Sequence, residues 1–268
     1  TALFSISPCK RLFHNIKNRY QIAKNDQKVV TNIIQKPINA VIFDMDNTLF
    51  DLVSAKMQAC RGVTGYIGRG SAEDLFYYFL RRKGGFEDPA NIRDFLVDYG
   101  CFDPATYERC CRTYQAEKIA NLVTYPGVAG TLSLLEEHGY PMALVTDAGH
   151  QDAMARLNHT GLAGFFDPVV TFELTGSYKP STLPFLYALE KMAKGSAETI
   201  LVGDSPRRDI APGKILGMKT VYARYGDRFS KPGTTSGADH AIDDIRDLAA
   251  IIGLPGRYAG HSLVPGEG

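Results

Sequence analysis

The sequence predicts an α/β fold with a doubly wound, mainly parallel sheet and an all-helical segment inserted after the first strand. Two observations carry this prediction. Short apolar runs alternate with stretches whose apolar residues recur at helical spacing, which is typical of a parallel sheet covered by helices on both faces. Residues from about 52 to 125 break this alternation, because they contain helical patterns and no clear strand.

Each predicted strand is a short apolar run bounded by polar or turn-forming residues. The first run, residues 38–43, is predicted to be buried and to end at Asp44. The other predicted strands span residues 142–146, 199–203 and 219–223, with a weaker candidate at 168–171 and an edge strand at 240–242.

Helices are predicted where apolar residues recur every three or four positions. In the sheet-forming part of the chain they span residues 128–138, 182–193, 208–216 and 244–252. In the inserted block they span roughly residues 53–67, 71–83, 88–98 and 104–121. The pair Pro126-Gly127 marks the return to the sheet, since both residues favour turns.

Composition narrows the class of protein. Of the 268 residues, 44% are hydrophobic, which is ordinary for a globular chain, and no run of about 18 apolar residues predicts a membrane span. The five cysteines are odd in number and lack Cys-x-x-Cys spacing. This pattern argues against a disulfide framework or a zinc site and favours a reducing, cytoplasmic location.

Four segments follow from these patterns. Residues 1–38 form a basic N-terminal extension, with seven Lys or Arg against one acid in residues 1–39. The α/β core is predicted at 39–51 and 126–252, the helical insertion at 52–125, and a Gly/Pro-rich tail at 253–268. A solvated extension is the favoured interpretation; a weak contact with nucleic acid or anionic lipid and an organellar transit peptide stay open.

Polar residues with chemical potential follow the predicted strands, which is where doubly wound sheets place their sites. Asp44 and Asp46 lie two residues apart at the end of the first strand. Two buried carboxylates would repel one another, and a bound cation or phosphate chemistry removes that difficulty. A carboxylate can attack phosphorus, and a second one can protonate the leaving alkoxide and then activate water.

Three later segments could complete such a site. Thr146 and Asp147 open a turn whose hydroxyl and backbone amides could hold a phosphate oxygen, although a helix cap would look the same. Lys179, before a proline, could neutralise a carboxylate and a phosphate together, although a lone Lys is usually solvated. Asp204 and Asp209 flank a turn and offer the oxygen ligands that Mg²⁺ prefers.

The order and strand-end context of these segments resemble the haloacid dehalogenase (HAD) superfamily, whose fold is Rossmann-like. The resemblance covers roughly residues 39–252, including a helical cap inserted after the first segment. Two shorter stretches, 46–51 (Asp-Asn-Thr-Leu-Phe-Asp) and 217–220 (Gly-Met-Lys-Thr), look like the small phosphatases of that superfamily. Among these the chain is loosely similar to archaeal members described as glyceraldehyde 3-phosphate phosphatases.

The resemblance implies a role for each matched residue. Asp44 is expected to be the nucleophile and a magnesium ligand. Asp46 is expected to be the general acid/base and to offer its backbone carbonyl to the metal. Thr146 is expected to bind the phosphoryl group, and Lys179 to steady both the nucleophile and the phosphate.

For Asp204 the resemblance implies coordination of Mg²⁺, and for Asp209 support of the ion directly or through water. The expected activity is Mg²⁺-dependent hydrolysis of phosphate monoesters of small metabolites through an aspartyl-phosphate. A sugar-phosphate mutase, a 2-haloacid dehalogenase and a non-catalytic binding protein on the same fold remain alternatives.

Other charged residues are interpreted as surface. Arg207 and Arg208 are expected to face solvent rather than to act in catalysis. Five cations of the insertion could meet an anionic substrate but are mostly expected to be solvated: Lys56, Arg61, Arg69, Arg81 and Arg82.

Overall fold

The computed structural model describes residues 37–81, 85–231 and 233–255. The chain divides into two compact units. The first contains the described residues of 1–48, 126–150 and 164–268, and the second contains residues 49–125 and 151–163. Most of the predicted N-terminal extension and of the Gly/Pro-rich tail therefore lies outside the described residues.

The first unit is built on a six-stranded parallel sheet with the order β3-β2-β1-β4-β5-β6. This sheet confirms the predicted fold class. The order reverses between β1 and β4, and ligands of open α/β sheets bind beside the carboxyl ends of strands at such a point. The strands are β1 Ala40–Phe43, β2 Met142–Val145, β3 Val169–Val170, β4 Thr199–Gly203, β5 Lys219–Ala223 and β6 His240–Ile242.

The described chain also contains ten α-helices. In chain order they are α1 Leu52–Ile67, α2 Ala72–Leu80, α3 Ala90–Asp98, α4 Pro104–Ala120, α5 Val128–Glu137, α6 His150–His159, α7 Phe172–Thr175, α8 Leu183–Lys191, α9 Ala211–Leu216 and α10 Asp247–Ile251. None of the described helices is long and apolar enough to cross a membrane.

Two helices have no counterpart in the sequence prediction. The short α7 has room for a single turn. The buried face of α6 carries only Ala153, Arg156 and Leu157, so a charged side chain stands where an apolar one would mark the helix. The predicted helix 208–216 also differs, because a π-helical turn at Pro206–Ile210 precedes α9.

The core of the first unit consists of strand residues buried on both faces. All four residues of β1 are fully buried, and every residue of β4 is buried. Ile42, Val145 and Leu201 from three adjacent strands pack with Phe185 of α8. Burial on both faces explains why these strands are continuous apolar runs rather than alternating ones.

The second unit has its own, aromatic core. Phe79 of α2 stacks on Tyr114 of α4, with ring centroids 4.9 Å apart. The two ends of the stretch 49–125 lie side by side, because Phe50 and Thr124 form an antiparallel bridge. Cys60 and Cys110 are buried here as free thiols, and burial raises the pKa of Cys60 to about 12.

Candidate active site

Asp44 lies at the carboxyl end of β1. Its N–H continues the sheet by donating to the carbonyl of Val202 at 2.9 Å, and the residue is 3% exposed. The Thr48 hydroxyl donates to Oδ2 of Asp44 at 2.9 Å. Tyr225 in turn donates its hydroxyl to the Thr48 carbonyl at 2.8 Å, so the loop that follows the strand is anchored from both sides.

The same loop requires a glycine elsewhere in the fold. Asn47 has a φ of 63°, a left-handed conformation that Asn tolerates better than most residues. Its carbonyl oxygen would lie 1.6 Å from a Cβ at position 226, where the chain has Gly226. No other residue type fits at position 226 without moving the segment that holds Asp44 and Asp46.

Asp204 and Asp209 follow β4, the neighbour of β1. One carboxylate oxygen from each, together with one from Asp44, lie within 4.8 Å of one another. The π-helical turn lets the Ser205 N–H donate to Oδ2 of Asp209 at 3.0 Å. A Cβ at Gly203 would lie 2.6 Å from Cβ and Cγ of Asp209, so the glycine makes room for this carboxylate.

Lys179 connects two members of this carboxylate triad. Its buried Nζ donates to Oδ1 of Asp44 and, at 2.8 Å, to Oδ1 of Asp209. Burial alone disfavours the ammonium, but Asp209 and Asp44 outweigh it and raise the Lys179 pKa above its ordinary value. Lys179 is therefore a permanent cation between the two carboxylates.

Thr146 and Asp147 follow β2, on the other side of β1. The Thr146 N–H donates to Val170 at 3.0 Å, and its buried hydroxyl accepts the Ala148 N–H at 3.1 Å. The Asp147 carboxylate accepts the Lys179 N–H at 2.8 Å. The carboxylate of Asp147 thus fixes the Lys179 segment, so a phosphate contact by Asp147 itself would come from its backbone amide.

The prediction that Arg208 faces solvent is wrong. Its side chain is 34% exposed, with Nη1 3.6 Å from Oδ2 of Asp147 and Nη2 4.0 Å from Oδ1 of Asp204. The i,i+4 spacing from Asp204 is the signal that could have indicated this contact. Arg207, in contrast, is exposed as expected.

Among the described residues, the three carboxylates of the triad outnumber the two cations that lie within 4.0 Å of them, Lys179 and Arg208. Oδ1 of Asp204 is buried and has no hydrogen-bond partner among the described residues. Burial, Asp44 and Asp209 raise the pKa of Asp204 well above its ordinary value, and burial raises that of Asp209 to about 6 against the opposing charge of Lys179. A hard divalent cation with oxygen ligands fits such a donor set.

Asp46 is half-buried in the loop between Asp44 and Thr48. The structure thus brings Asp44, Lys179, Asp204 and Asp209 into direct contact or within ligand distance. Sequence reasoning did not assign roles to Thr48 and Arg208, which contact members of this set.

Comparison with known proteins places the chain among named enzymes. It is 29% identical over 224 residues to the glyceraldehyde 3-phosphate phosphatase of Methanocaldococcus jannaschii, covering 80% of this chain and 97% of that protein. It is 28% identical over 225 residues to the pyrophosphatase PpaX of Halalkalibacterium halodurans, covering 82% and 99%. The prediction of a phosphoric monoester hydrolase agrees with the phosphatase names among its relatives.

A solved structure shares the fold. The HAD-hydrolase YfnB of Bacillus subtilis, bound to magnesium, superimposes with a TM-score of 0.67 at 21% identity, covering 82% of this chain and all of that one. The haloacid dehalogenase-like hydrolase family matches residues 41–223, which is more than half of the chain. This confirms the sequence-based recognition: the chain belongs to the haloacid dehalogenase-like hydrolases.

Proposed function

We propose that this enzyme is a Mg²⁺-dependent phosphatase that hydrolyses phosphate monoesters of small metabolites through a phosphorylated Asp44. The observation that carries the proposal is the buried triad of Asp44, Asp204 and Asp209, with Lys179 bound to two of its members. A 2-haloacid dehalogenase has no need for a leaving-group acid or for a metal. The presence of Asp46 and of the Asp204–Asp209 pair supports the phosphatase.

In the first step a carboxylate oxygen of Asp44 attacks phosphorus, and the bond from phosphorus to the leaving oxygen breaks. Asp46 in its protonated form gives its proton to that oxygen. The ionised Asp46 then accepts a proton from water, which attacks phosphorus and releases inorganic phosphate from Asp44. Lys179 orients Asp44, because its buried ammonium donates a hydrogen bond to the same carboxylate.

Mg²⁺ bound by Asp44, Asp204, Asp209 and the Asp46 carbonyl would supply positive charge for the phosphoryl oxygens. The chain's own cations supply part of the same charge. Thr146, with a buried hydroxyl at the end of β2, and the amides after it would hold a phosphoryl oxygen.

The domain roles and the location are part of the same proposal. Residues 39–51 and 126–252 would carry the chemistry, and the helical insertion at 52–125 would act as a cap that selects among small phosphorylated metabolites. A cytoplasmic location remains a prediction, which fluorescence microscopy of the tagged full chain would test.

A phosphate-release screen tests the proposal. The purified chain is assayed against sugar phosphates, phosphorylated acids and pyrophosphate, with Mg²⁺ or with EDTA. We expect Mg²⁺-dependent release of phosphate, and acid quenching should trap a protein carrying one phosphoryl group on Asp44. Halide release without metal would favour a dehalogenase, isomerised sugar phosphate a mutase, and a folded protein without turnover a binding protein.

A further inference from the structure

Arg208 is the cation nearest to the carboxylate of Asp204. Its Nη2 lies 4.0 Å from Oδ1 of Asp204, the buried oxygen without a hydrogen-bond partner among the described residues. No other Lys, Arg or His side chain of those residues comes within 4.0 Å of this carboxylate. Lys179 binds the other two members of the triad, Asp44 and Asp209. Arg208 is thus the nearest balancing charge for Asp204.

Arg208 contacts its partners through charge rather than through hydrogen bonds. Its Nη1 lies 3.6 Å from Oδ2 of Asp147, and its Nη2 lies 4.0 Å from Asp204. Hydrogen bonds from N–H groups to oxygen span about 2.7–3.2 Å, so both contacts are too long to be hydrogen bonds. A guanidinium is always charged in proteins. Arg208 therefore offers Asp204 a full positive charge without directional bonds that would lock the two side chains together.

The backbone of Arg208 is fixed, whereas its guanidinium has room to move. The Arg208 N–H donates to the Ser205 hydroxyl at 3.2 Å, inside the π-helical turn Pro206–Ile210. The Arg208 side chain is 34% exposed, but that of Asp204 is only 3% exposed. A long arginine side chain can keep its stem against the protein while its charged end turns towards water. Arg208 can thus leave Asp204 while the carboxylate stays in place.

A divalent cation would meet Arg208 at this carboxylate. Asp204 belongs to the triad whose oxygen ligands fit Mg²⁺. Burial opposes the charge of Arg208, but Asp44, Asp209 and Asp204 outweigh it and raise the Arg208 pKa above its ordinary value. The field that attracts a metal ion therefore also acts on Arg208. Two positive ions at one carboxylate repel each other, so each weakens the binding of the other.

We propose that Arg208 is a positioning residue that serves as the counter-ion of Asp204 in the metal-free enzyme and competes with Mg²⁺ for that carboxylate. Without metal, Arg208 lowers the repulsion among the three carboxylates. When Mg²⁺ takes Asp204, the guanidinium turns away from it. The competition weakens Mg²⁺ binding, so a higher Mg²⁺ concentration is needed to fill the site. This inference rests on the Mg²⁺ site of the proposed function.

Isothermal titration calorimetry of Mg²⁺ binding to the metal-free full chain tests the competition. Arg208→Gln removes the competing charge and keeps a polar side chain. We expect its Kd for Mg²⁺ to fall about tenfold, which corresponds to about 1.4 kcal/mol. The Mg²⁺ concentration that half-saturates phosphate release should fall as well. If Arg208 only supported the fold of the site, its loss would leave Mg²⁺ binding unchanged or weaker.

Two variants show whether the position of the charge matters. Arg207→Gln removes the same charge from the neighbouring, exposed residue. Its Kd for Mg²⁺ should stay within about twofold of wild type, since salt screens exposed charges. Arg208→Lys keeps a positive charge at the site and should bind Mg²⁺ more weakly than Arg208→Gln. Equal Kd values for Arg208→Lys and Arg208→Gln would contradict a competition between charges.

Chemical labelling of the wild type gives a readout that no destabilised variant can obscure. Phenylglyoxal modifies accessible arginines, and mass spectrometry of peptides separates Arg208 from Arg207. Arg208 should react faster at saturating Mg²⁺ than in EDTA, because the ion displaces its guanidinium from Asp204. The rate for Arg207 should not change. Labelling of Arg208 that is unchanged or slower with Mg²⁺ would overturn the proposal.

The outcomes also distinguish this inference from the proposed function. An Arg208→Gln variant that binds Mg²⁺ no more tightly than wild type would overturn the competition, while the metal site would stand. A wild type that binds no Mg²⁺ at all would overturn both.

Discussion

The charged clusters of the two units are opposite in sign. In the first unit, Asp44, Asp204 and Asp209 lie together, and the buried cation Lys179 binds Asp44 and Asp209. In the second unit, Glu87 is shared by three buried cations, Lys56, Lys118 and Arg156. In the first cluster, three buried carboxylates thus surround one buried lysine. The excess of buried carboxylates in the first cluster supports the divalent cation proposed for it.

The two clusters also differ in how far sequence reasoning could predict them. Asp44, Thr146 and Asp204 each follow a strand that apolar runs make visible, and parallel strands bring their carboxyl ends to one edge of the sheet. Lys179 is less obvious locally, because nothing but the family resemblance separates it from a surface lysine. The sheet, most helices and the carboxylates are thus predictable from local sequence pattern, whereas Lys179 is not.

The cationic cluster left no such pattern. Lys56 and Lys118 each lie 31 positions from Glu87, and Arg156 lies 69 positions from it. Charged residues spaced in this way are normally solvated, and the sequence predicts the same for Lys56. The structure corrects that interpretation, because Lys56 is fully buried. Only the packing of α1, α4 and α6 brings the three cations together.

The largest effect is expected for Asp44→Asn. The amide cannot attack phosphorus, so turnover should fall by at least about 10⁴-fold while the fold persists. Phosphate release and circular dichroism would be measured together. Asp51→Asn is the matched control, because Asn also caps a helix and Asp51 caps α1. Near-normal turnover in Asp44→Asn would exclude the aspartyl-phosphate mechanism.

Loss of the acid/base should have a smaller effect that depends on the leaving group. Asp46→Asn should slow turnover by about 10²–10⁴-fold for sugar phosphates, whose alkoxides need a proton. An aryl phosphate needs less protonation, so formation of the phosphoenzyme from it should suffer less. Single-turnover rates for both substrates provide the comparison, and equal losses would contradict the role of Asp46.

Glu87→Gln should destabilise the protein at neutral pH by about 3 kcal/mol, the low end for breaking a buried ion pair, because Glu87 is partly exposed. Despite the opposing effect of burial, Arg156, Lys56 and Lys118 lower the Glu87 pKa to about 2 from its ordinary 4.5. Its contribution is therefore complete above pH 4.5 and is lost as the pH falls towards 2.

Urea unfolding from pH 7 to pH 2 checks the predicted direction of this pH dependence. Wild type should lose stability between about pH 4.5 and pH 2 relative to Glu87→Gln, so the difference between them should shrink in that window. Glu73→Gln, at an exposed position of α2, provides the control. A constant difference across the window would show that the carboxylate charge of Glu87 is not what holds the cations.

Asp204→Asn should have the smallest effect on the free energy of unfolding, and it should stabilise the protein rather than destabilise it. Oδ1 of Asp204 is buried without a hydrogen-bond partner among the described residues, and Asp44 and Asp209 repel the ionised carboxylate. The neutral amide removes that repulsion, so the variant should be more stable than the metal-free wild type by about 1 kcal/mol, a size common for stabilising substitutions. It should nevertheless be inactive, because a metal ligand is lost.

Thermal unfolding with EDTA and with Mg²⁺ separates the gain in stability of Asp204→Asn from its loss of metal binding. Mg²⁺ should raise the unfolding midpoint of the wild type, since a ligand that binds only the native state stabilises it. The midpoint of Asp204→Asn should change little. Asp239→Asn, which alters a carboxylate that binds Lys214 and Thr220 instead, should keep the Mg²⁺ response. If Mg²⁺ stabilised Asp204→Asn as much as the wild type, the ion would bind elsewhere. The triad of Asp44, Asp204 and Asp209 would then not be the metal site.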